Sequence, residues 1–283
     1  MRLLVLGNAV VDHVYRVGHL PAPGETVLAG GKHVDVGGKG LNQAVVAKRA
    51  GASARLVAAI GHDHQGQLVA TRVAAEGLDP DILVVTGSPT DESIVLVAPD
   101  AENVIVSTAA AAAELPQARA LAEIATLAAG DLLLLQGNLS AALTMAALRR
   151  ARDGGVRTML NLAPVAFAPE PALQLADIAV MNTVEAAAVG THAAPTMILT
   201  EGAQGARLRR GTHVTQVPAP SVQAVDTTGA GDVVCGVVAA GLVLGLAIEA
   251  ALRWAVAAAA LTVTRHGAFA SLPSAAELQS LRP

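Results

Sequence analysis

The chain has 283 residues, of which 53% are hydrophobic, 15% charged and only 1% aromatic. Lys plus Arg numbers 19 and Asp plus Glu 23, a formal net charge of −4, so no basic field is available to hold nucleic acid or an anionic membrane surface, and the apolar content excludes a disordered chain. Mean hydropathy is +0.50, yet the uncharged run between Asp232 and Glu249 is 16 residues against the roughly 20 that cross a bilayer.

In chain order, the apolar run Leu3–Leu6 predicts a first strand. The first residues reach Asp12 without an Ala-x-Ala site and are read as structure rather than a secretory leader. Val14–Val36 is rich in Pro and Gly with β-branched residues between. A helix is expected over Leu41–Ala50, a strand over Arg55–Ile60 and a helix over Gln65–Glu76. Asp91–Thr108 reads as two strands, Ser93–Val97 and Asn103–Ser107, joined by the turn Pro99-Asp100-Ala101-Glu102. Ala109–Ala113 is a helix or a connector. Helices over Pro116–Ala129, Ala141–Arg152 and Thr183–Val189 then alternate with strands over Leu132–Gln136, Thr158–Asn161, Ile178–Val180 and Met197–Thr200. Continuous apolar strands alternating with helices indicate an α/β fold: a doubly wound, mostly parallel sheet flanked by helices. The stretches from about 12 to 36 and from about 91 to 108 do not fit that repeat and are expected to form a small β-sheet lid on a single domain spanning 1–283.

Two segments carry chemistry. Asp226-Thr227-Thr228-Gly229-Ala230-Gly231-Asp232 runs into a long apolar helix. Glycines at a helix start let backbone N–H groups approach an anion, and the helix dipole adds partial positive charge. A carboxylate there would repel a phosphate unless it acts as a general base toward an attacking hydroxyl, so Asp232 is the expected base and Gly229, Ala230 and Gly231 the expected anion hole. The plainer reading is an Asp near a helix start with Gly for the turn. The second segment, Gly37-Gly38-Lys39-Gly40-Leu41-Asn42-Gln43, lacks the Walker spacing and suits a polyhydroxylated ligand. Cys235 is the sole cysteine. It excludes a disulfide framework, is read as a buried thiol, and leaves the cytoplasm as the expected compartment. Trp254 is read as packing, whereas His13 and Tyr15 could face substrate, a second subunit or solvent.

The ordered set of Asp12, Pro21-Ala22-Pro23-Gly24-Glu25-Thr26, Gly37-Gly38-Lys39-Gly40-Leu41-Asn42, Gly61-His62-Asp63-His64-Gln65-Gly66, Asn182-Thr183-Val184-Glu185, Asp226–Asp232, Thr264–Ala268 and Ser271-Leu272-Pro273 resembles the ribokinase-like, or PfkB, family of carbohydrate kinases, in the ribokinase motif pattern. The resemblance implies that Asp12, Gly38, Lys39 and Asn42 hold sugar hydroxyls, with Asn138 in the place of a sugar-contacting Glu. It implies that Asn182 and Glu185 act near a Mg²⁺–phosphate, largely through water. Thr200, Gly202 and Gly205, with Gly231 and Val256, would border ATP. A monovalent cation, K⁺ above all, would lie among Asp226, Thr228, Thr262, Arg265, Gly267 and Ser271, several of them acting through carbonyls. His62 and His64 fall in a family loop, which argues against a His-x-His metal pair.

Val10 stands where the ribokinase pattern has an Asn. With Asn138, this implies a preference other than strict D-ribose. The expected activity is ATP-dependent phosphorylation of the hydroxymethyl group of a small sugar by a homodimer paired through its lids. The alternatives are a nucleoside kinase of the same family, or a catalytically silent sugar-binding regulator. Scarce aromatic residues favour the sugar, because a nucleobase needs a stacking partner.

Overall fold

The computed structural model describes residues 1–80, 83–99, 103–189 and 194–283. Among these, the large sheet runs in spatial order His213–Val217, Ala206–Arg210, Thr196–Thr200, Ile178–Asn182, Arg157–Asn161, Leu132–Gln136, Arg2–Leu6 and Ser53–Val57. All pairings are parallel except those of the hairpin Ala206–Arg210/His213–Val217. Side chains alternate across a strand, and both faces are covered. Leu3, Val5, Leu132 and Leu134 pack in one apolar core with the helices Lys39–Arg49, Ala230–Val243 and Ile248–Thr262. Leu4, Leu6, Leu133 and Leu135 pack in the other with Gln117–Ile124 and Ala141–Asp153. Two buried faces are why the strand sequences are continuously apolar.

A second sheet of order Ala29–Gly37, Val10–Val17, Glu92–Val97 and Asn103–Ser107 stands apart from this frame. Asp12 is paired with Asp35 on one side and Ser93 on the other. The turn expected over Pro99-Asp100-Ala101-Glu102 lies, in its residues 100–102, outside the described residues.

Several expectations are corrected. The strand expected over Arg55–Ile60 is two: Ser53–Val57 pairs with the first strand, and Ala59–Gly61 pairs instead with Val84–Thr86. The helix begun at Gln117 stops at Ile124, because the chain then turns so that Asp131 can accept the Ala128 amide at 3.0 Å. Ala110–Ala113 is helical, with the Ala111 and Ala112 amides donating to the buried carboxylate of Asp91. The small sheet begins at Val10, before the Asp12 boundary. No described helix is long and apolar enough to cross a membrane.

Candidate active site

The parallel strands end in polar residues at one rim. Gln136 lies beside Asn161 in register, and Asn182 beside Thr200. The first strand continues one flank of the sheet into Ser53–Val57 and pairs on its other side with Leu132–Gln136, so the strand order reverses there. Such a switch point opens a crevice at the carboxyl ends of the strands. Gly7 sits in it, where a Cβ would come within 1.8 Å of Gln136 Oε1.

Onto this rim the helix Ala230–Val243 delivers Asp232 in its first turn. Gly229 begins the helix at φ 84, a left-handed conformation that suits glycine. Further along, Gly236 lets this helix press against Lys39–Arg49, since a Cβ there would meet Gln43 O at 2.7 Å. That close approach brings Asp232 to two side-chain amides. Asn42 Nδ2 donates to Asp232 Oδ2 at 3.0 Å, and Gln43 Nε2 donates to Oδ1 at 2.9 Å. Asp232 is only 6% exposed.

Gly38 precedes the helix Lys39–Arg49 at φ 99. The turn is braced by Asn8, whose side chain accepts from the Gly40 amide at 3.2 Å and whose carbonyl accepts from Leu41 N. Asp12 leans over this turn: a Cβ on Gly37 would lie 1.9 Å from Asp12 Oδ2. Burial pushes the Asp12 carboxyl up to about 6; the Ser93 hydroxyl opposes the rise, and the charges of Asp232 and Asp35 add to it. Val10 is buried two residues before Asp12, on the same face of its strand. Asn138 follows Gly137, whose Cα approaches so close to the next loop that a Cβ would meet Pro164 O at 2.0 Å. Both amide atoms of Asn138, together with Asn42 Oδ1, are buried without a partner among the described residues. Buried polar groups are ordinarily paired, so these atoms mark a polar surface for a ligand.

Asn182 and Glu185 hold each other: Glu185 Oε2 accepts from Asn182 N, and Asn182 Oδ1 accepts from Glu185 N, both at 2.8 Å. This is a reciprocal cap for the helix Thr183–Val189. Burial raises the Glu185 carboxyl and the charge of Lys39 lowers it, which ties this pair electrostatically to the Lys39 turn. Thr200 stands beside Asn182 in the sheet, and Gly202 and Gly205 follow it at φ 55 and 90. Gly205 abuts Val217 and Pro218, and these two line a cavity of about 290 Å³ together with Val256 and Arg253.

Asp226 is 2% exposed and receives the Thr228 amide at 2.9 Å and the Gly267 amide at 2.8 Å. No basic side chain is bonded to it among the described residues. Asn103 of the small sheet donates to Thr228 Oγ1 at 3.0 Å. Thr262 and Ser271 are buried nearby in sequence; the Ser271 hydroxyl donates to Ala268 O, and the Thr262 carbonyl accepts from Arg265 N. The Arg265 guanidinium is engaged by Glu277, whose carboxyl it holds down at about 2. Arg265 can therefore face a cation at Asp226 only through its backbone. A larger cavity of about 770 Å³ runs from the Asp226 and Gly267 loops to Val14, Arg16, His33 and Val97 of the small sheet.

The structure thus brings Asp232, Asn42, Gly38, Lys39 and Asp12 to one crevice, and Asp226, Thr228 and Gly267 to one knot beside it. His13 and Tyr15 alternate with Asp12 on their strand and turn to the opposite face, where His13 meets Glu92 at 3.1 Å. Gln43, Gln136, Asn161 and Asn8 were given no role from sequence. The available signal was a polar amide closing the apolar strands Leu132–Gln136 and Arg157–Asn161.

Residues 1–275 match the family model described as pfkB family carbohydrate kinase. The ribokinase of Haemophilus influenzae is 33% identical over 97% of this chain and 96% of its own length. Among solved structures, ribokinase from Thermotoga maritima is similar at TM-score 0.87 and 30% identity, covering 99% of each chain. Arabidopsis thaliana ribokinase complexed with ribose and ATP is similar at TM-score 0.85 and 27% identity, covering 99% of this chain and 98% of that one. The chain belongs to the PfkB family of carbohydrate kinases and is an ATP-dependent kinase acting on a sugar or nucleoside.

Proposed function

We propose that this enzyme transfers the terminal phosphoryl group of ATP to the hydroxymethyl group of a small sugar, with Asp232 as general base. The observation that carries this reading is the Asp232 carboxylate, fixed by the Asn42 and Gln43 amides at a glycine-led helix start beside Asp12. The acceptor hydroxyl gives its proton to Asp232 as its oxygen bonds to phosphorus, and ADP departs. The Gly229–Gly231 amides and the helix dipole stabilise the negative charge of the phosphoryl group in transit. Asp12, Gly38, Lys39, Asn42 and Asn138 bind the acceptor, the last two offering buried polar atoms without protein partners among the described residues. Gly202, Gly205 and Val256 border the nucleotide, together with Thr200.

Asn182 and Glu185 would hold a hydrated Mg²⁺ on the phosphates, supplying charge neutralisation. Among the described residues Asp226 is a buried carboxylate bonded only through backbone amides, which suits a resident monovalent cation shared with Thr228, Thr262, Arg265, Gly267 and Ser271, several of them through carbonyls. We expect faster turnover in K⁺ than in Na⁺.

The domain is read as one unit of residues 1–283 whose small sheet closes as a lid and excludes water. The outward face of that sheet exposes Val34, Ile94, Val104 and Val106. An apolar face of this kind fits pairing with a second copy through the lids. Cys235 is buried and unpaired, which suits the reducing cytoplasm.

A nucleoside acceptor is the second reading, and the rings argue against it. Tyr15 turns away from Asp12, Trp254 donates to Leu278 O in the core, and Phe269 lies buried beneath Arg49 and Arg72. Among the described residues, no Phe, Tyr or Trp ring lines the cavity beneath the small sheet. The test is ATP consumption with pentoses, ketohexoses and nucleosides, run with wild type and Asp232→Asn. Turnover with a sugar, lowered by about 10²–10⁴ in the variant, is expected. Turnover with nucleosides alone overturns the acceptor, and a loss under about tenfold overturns the base.

A further inference from the structure

We propose that Gln43 is a positioning residue that locks the Asp232 carboxylate to the edge of the central sheet, so that its free lone pairs face the acceptor hydroxyl. This rests on the reading of Asp232 as base.

Gln43 is fully buried, and each of its polar groups is used. Nε2 donates to Asp232 Oδ1 at 2.9 Å and to Asn161 Oδ1 at 3.1 Å, while Oε1 accepts from Gln136 Nε2 at 2.8 Å. Asn161 Nδ2 donates onward to Val180 O at 3.3 Å. An ionised carboxylate only accepts hydrogen bonds. Asp232 therefore dictates that Gln43 presents its nitrogen, hence that Gln136 presents nitrogen to Gln43 and that Asn161 presents oxygen. A flip of the Gln43 amide would set oxygen against two oxygens and nitrogen against nitrogen. One charge thus orders three amides, and those amides in turn fix the carboxylate.

The contrast with Asn42 separates positioning from substrate contact. Asn42 donates to Asp232 Oδ2, but its own carbonyl oxygen has no partner among the described residues and is available to a ligand. Gln43 has nothing left to offer a ligand. Its bonds lead to the register pair Gln136 and Asn161 on adjacent strands. The base is thereby referred to the sheet as well as to its own helix.

The test compares Gln43→Leu, Gln43→Glu and Gln136→Leu in kcat, KM and pH profile. Asp232 is faced by Asp12 from the small sheet and by the Cys235 thiol on its own helix, with Lys39 and Glu185 close by. Those groups are unchanged in the leucine variants, so a shifted profile reads the lost donors.

Gln43→Leu is expected to lower kcat by about 10- to 100-fold with both KM values within about twofold, and to move the acid limb of kcat to higher pH. Gln43→Glu, of the same size but carrying a like charge, moves that limb further. Gln136→Leu, which never touches Asp232, gives a smaller loss in the same direction. The double leucine variant is no worse than Gln43→Leu alone, as expected for one network. Wild-type kcat and profile in Gln43→Leu, a loss confined to KM, or losses that multiply in the double variant overturn the proposal. If Gln43→Leu does not fold, Gln136→Leu carries the same readout. If Asp232→Asn turns over normally, the base reading itself falls. An inactive Asp232→Asn beside a normal Gln43→Leu sinks the positioning role alone.

Discussion

The two buried carboxylates of the crevice are held in opposite ways. Asp232 sits at the start of a helix wedged into the domain and receives two side-chain amides from the neighbouring helix. Asp12 rides on the small sheet, and burial lifts its carboxyl to about 6 with the Ser93 hydroxyl the chief opposition. A group with fixed donors on both oxygens is prepared to accept a proton in one direction. A group with sparse donors and a raised pKa gains from the hydroxyls of a sugar, which supply the missing hydrogen bonds. On the proposed function, the domain supplies the proton acceptor, and the small sheet adds one carboxylate to the acceptor contacts made by the Lys39 turn and Asn138.

Asp12→Asn should separate the two roles most sharply. The acceptor KM is expected to rise by more than about tenfold, while kcat falls less than in Asp232→Asn, consistent with the loss of hydrogen bonds to a charged group. Steady-state kinetics decides it, and equal losses in kcat for both variants would erase the distinction.

The pH dependence follows from the raised Asp12. Below about pH 6 its carboxyl is protonated and accepts hydroxyls poorly, so the acceptor KM should climb as pH falls through 6. Asp12→Asn should lack that limb. Stability carries the opposite sign. Because the folded pKa lies above the ordinary value of 3.8, this group's contribution is full below 3.8 and is lost as pH rises through about 6. The loss is about 3 kcal/mol at most. Asp12→Asn should therefore be more stable than wild type at pH 8 in urea melts, and a less stable variant would contradict the assigned burial cost.

The smallest effect on turnover is expected from the far side of the same sheet. Ile94→Glu places a charge on the outward face, where Ile94 is 49% exposed. Light scattering should report a monomer, with kcat changed less than about threefold. A persisting dimer would remove that face from the assembly.

Much of the fold was legible because the residue patterns that make a strand or a helix are local. Leu132–Gln136, Asn103–Ser107 and Thr183–Val189 match the expected boundaries residue for residue. The edge hairpin was not legible. Ala206–Arg210, one strand in from the edge, carries three arginines and a partly exposed face, and so lacks the apolar run of its neighbours. The helix Ala275–Leu281 was missed although Ser274 and Glu277 spell a capping box. At the site, the glycine-led segment before the long apolar helix pointed to Asp232, and the family resemblance to Asp12 and Asn42. The amides of Gln43, Gln136 and Asn161 escaped because their partners lie 93 to 189 residues away along the chain, a separation no local pattern encodes.

That separation bears on how the enzyme comes into being. The bond between Asn42 and Asp232 closes a span of 190 residues, and the helix that supplies Asp232 follows every described strand of the large sheet along the chain. Contacts so distant in sequence carry a loop-closure cost that slows folding. A chain that has all those strands but not yet the helix Ala230–Val243 therefore lacks Asp232, the residue proposed as the base.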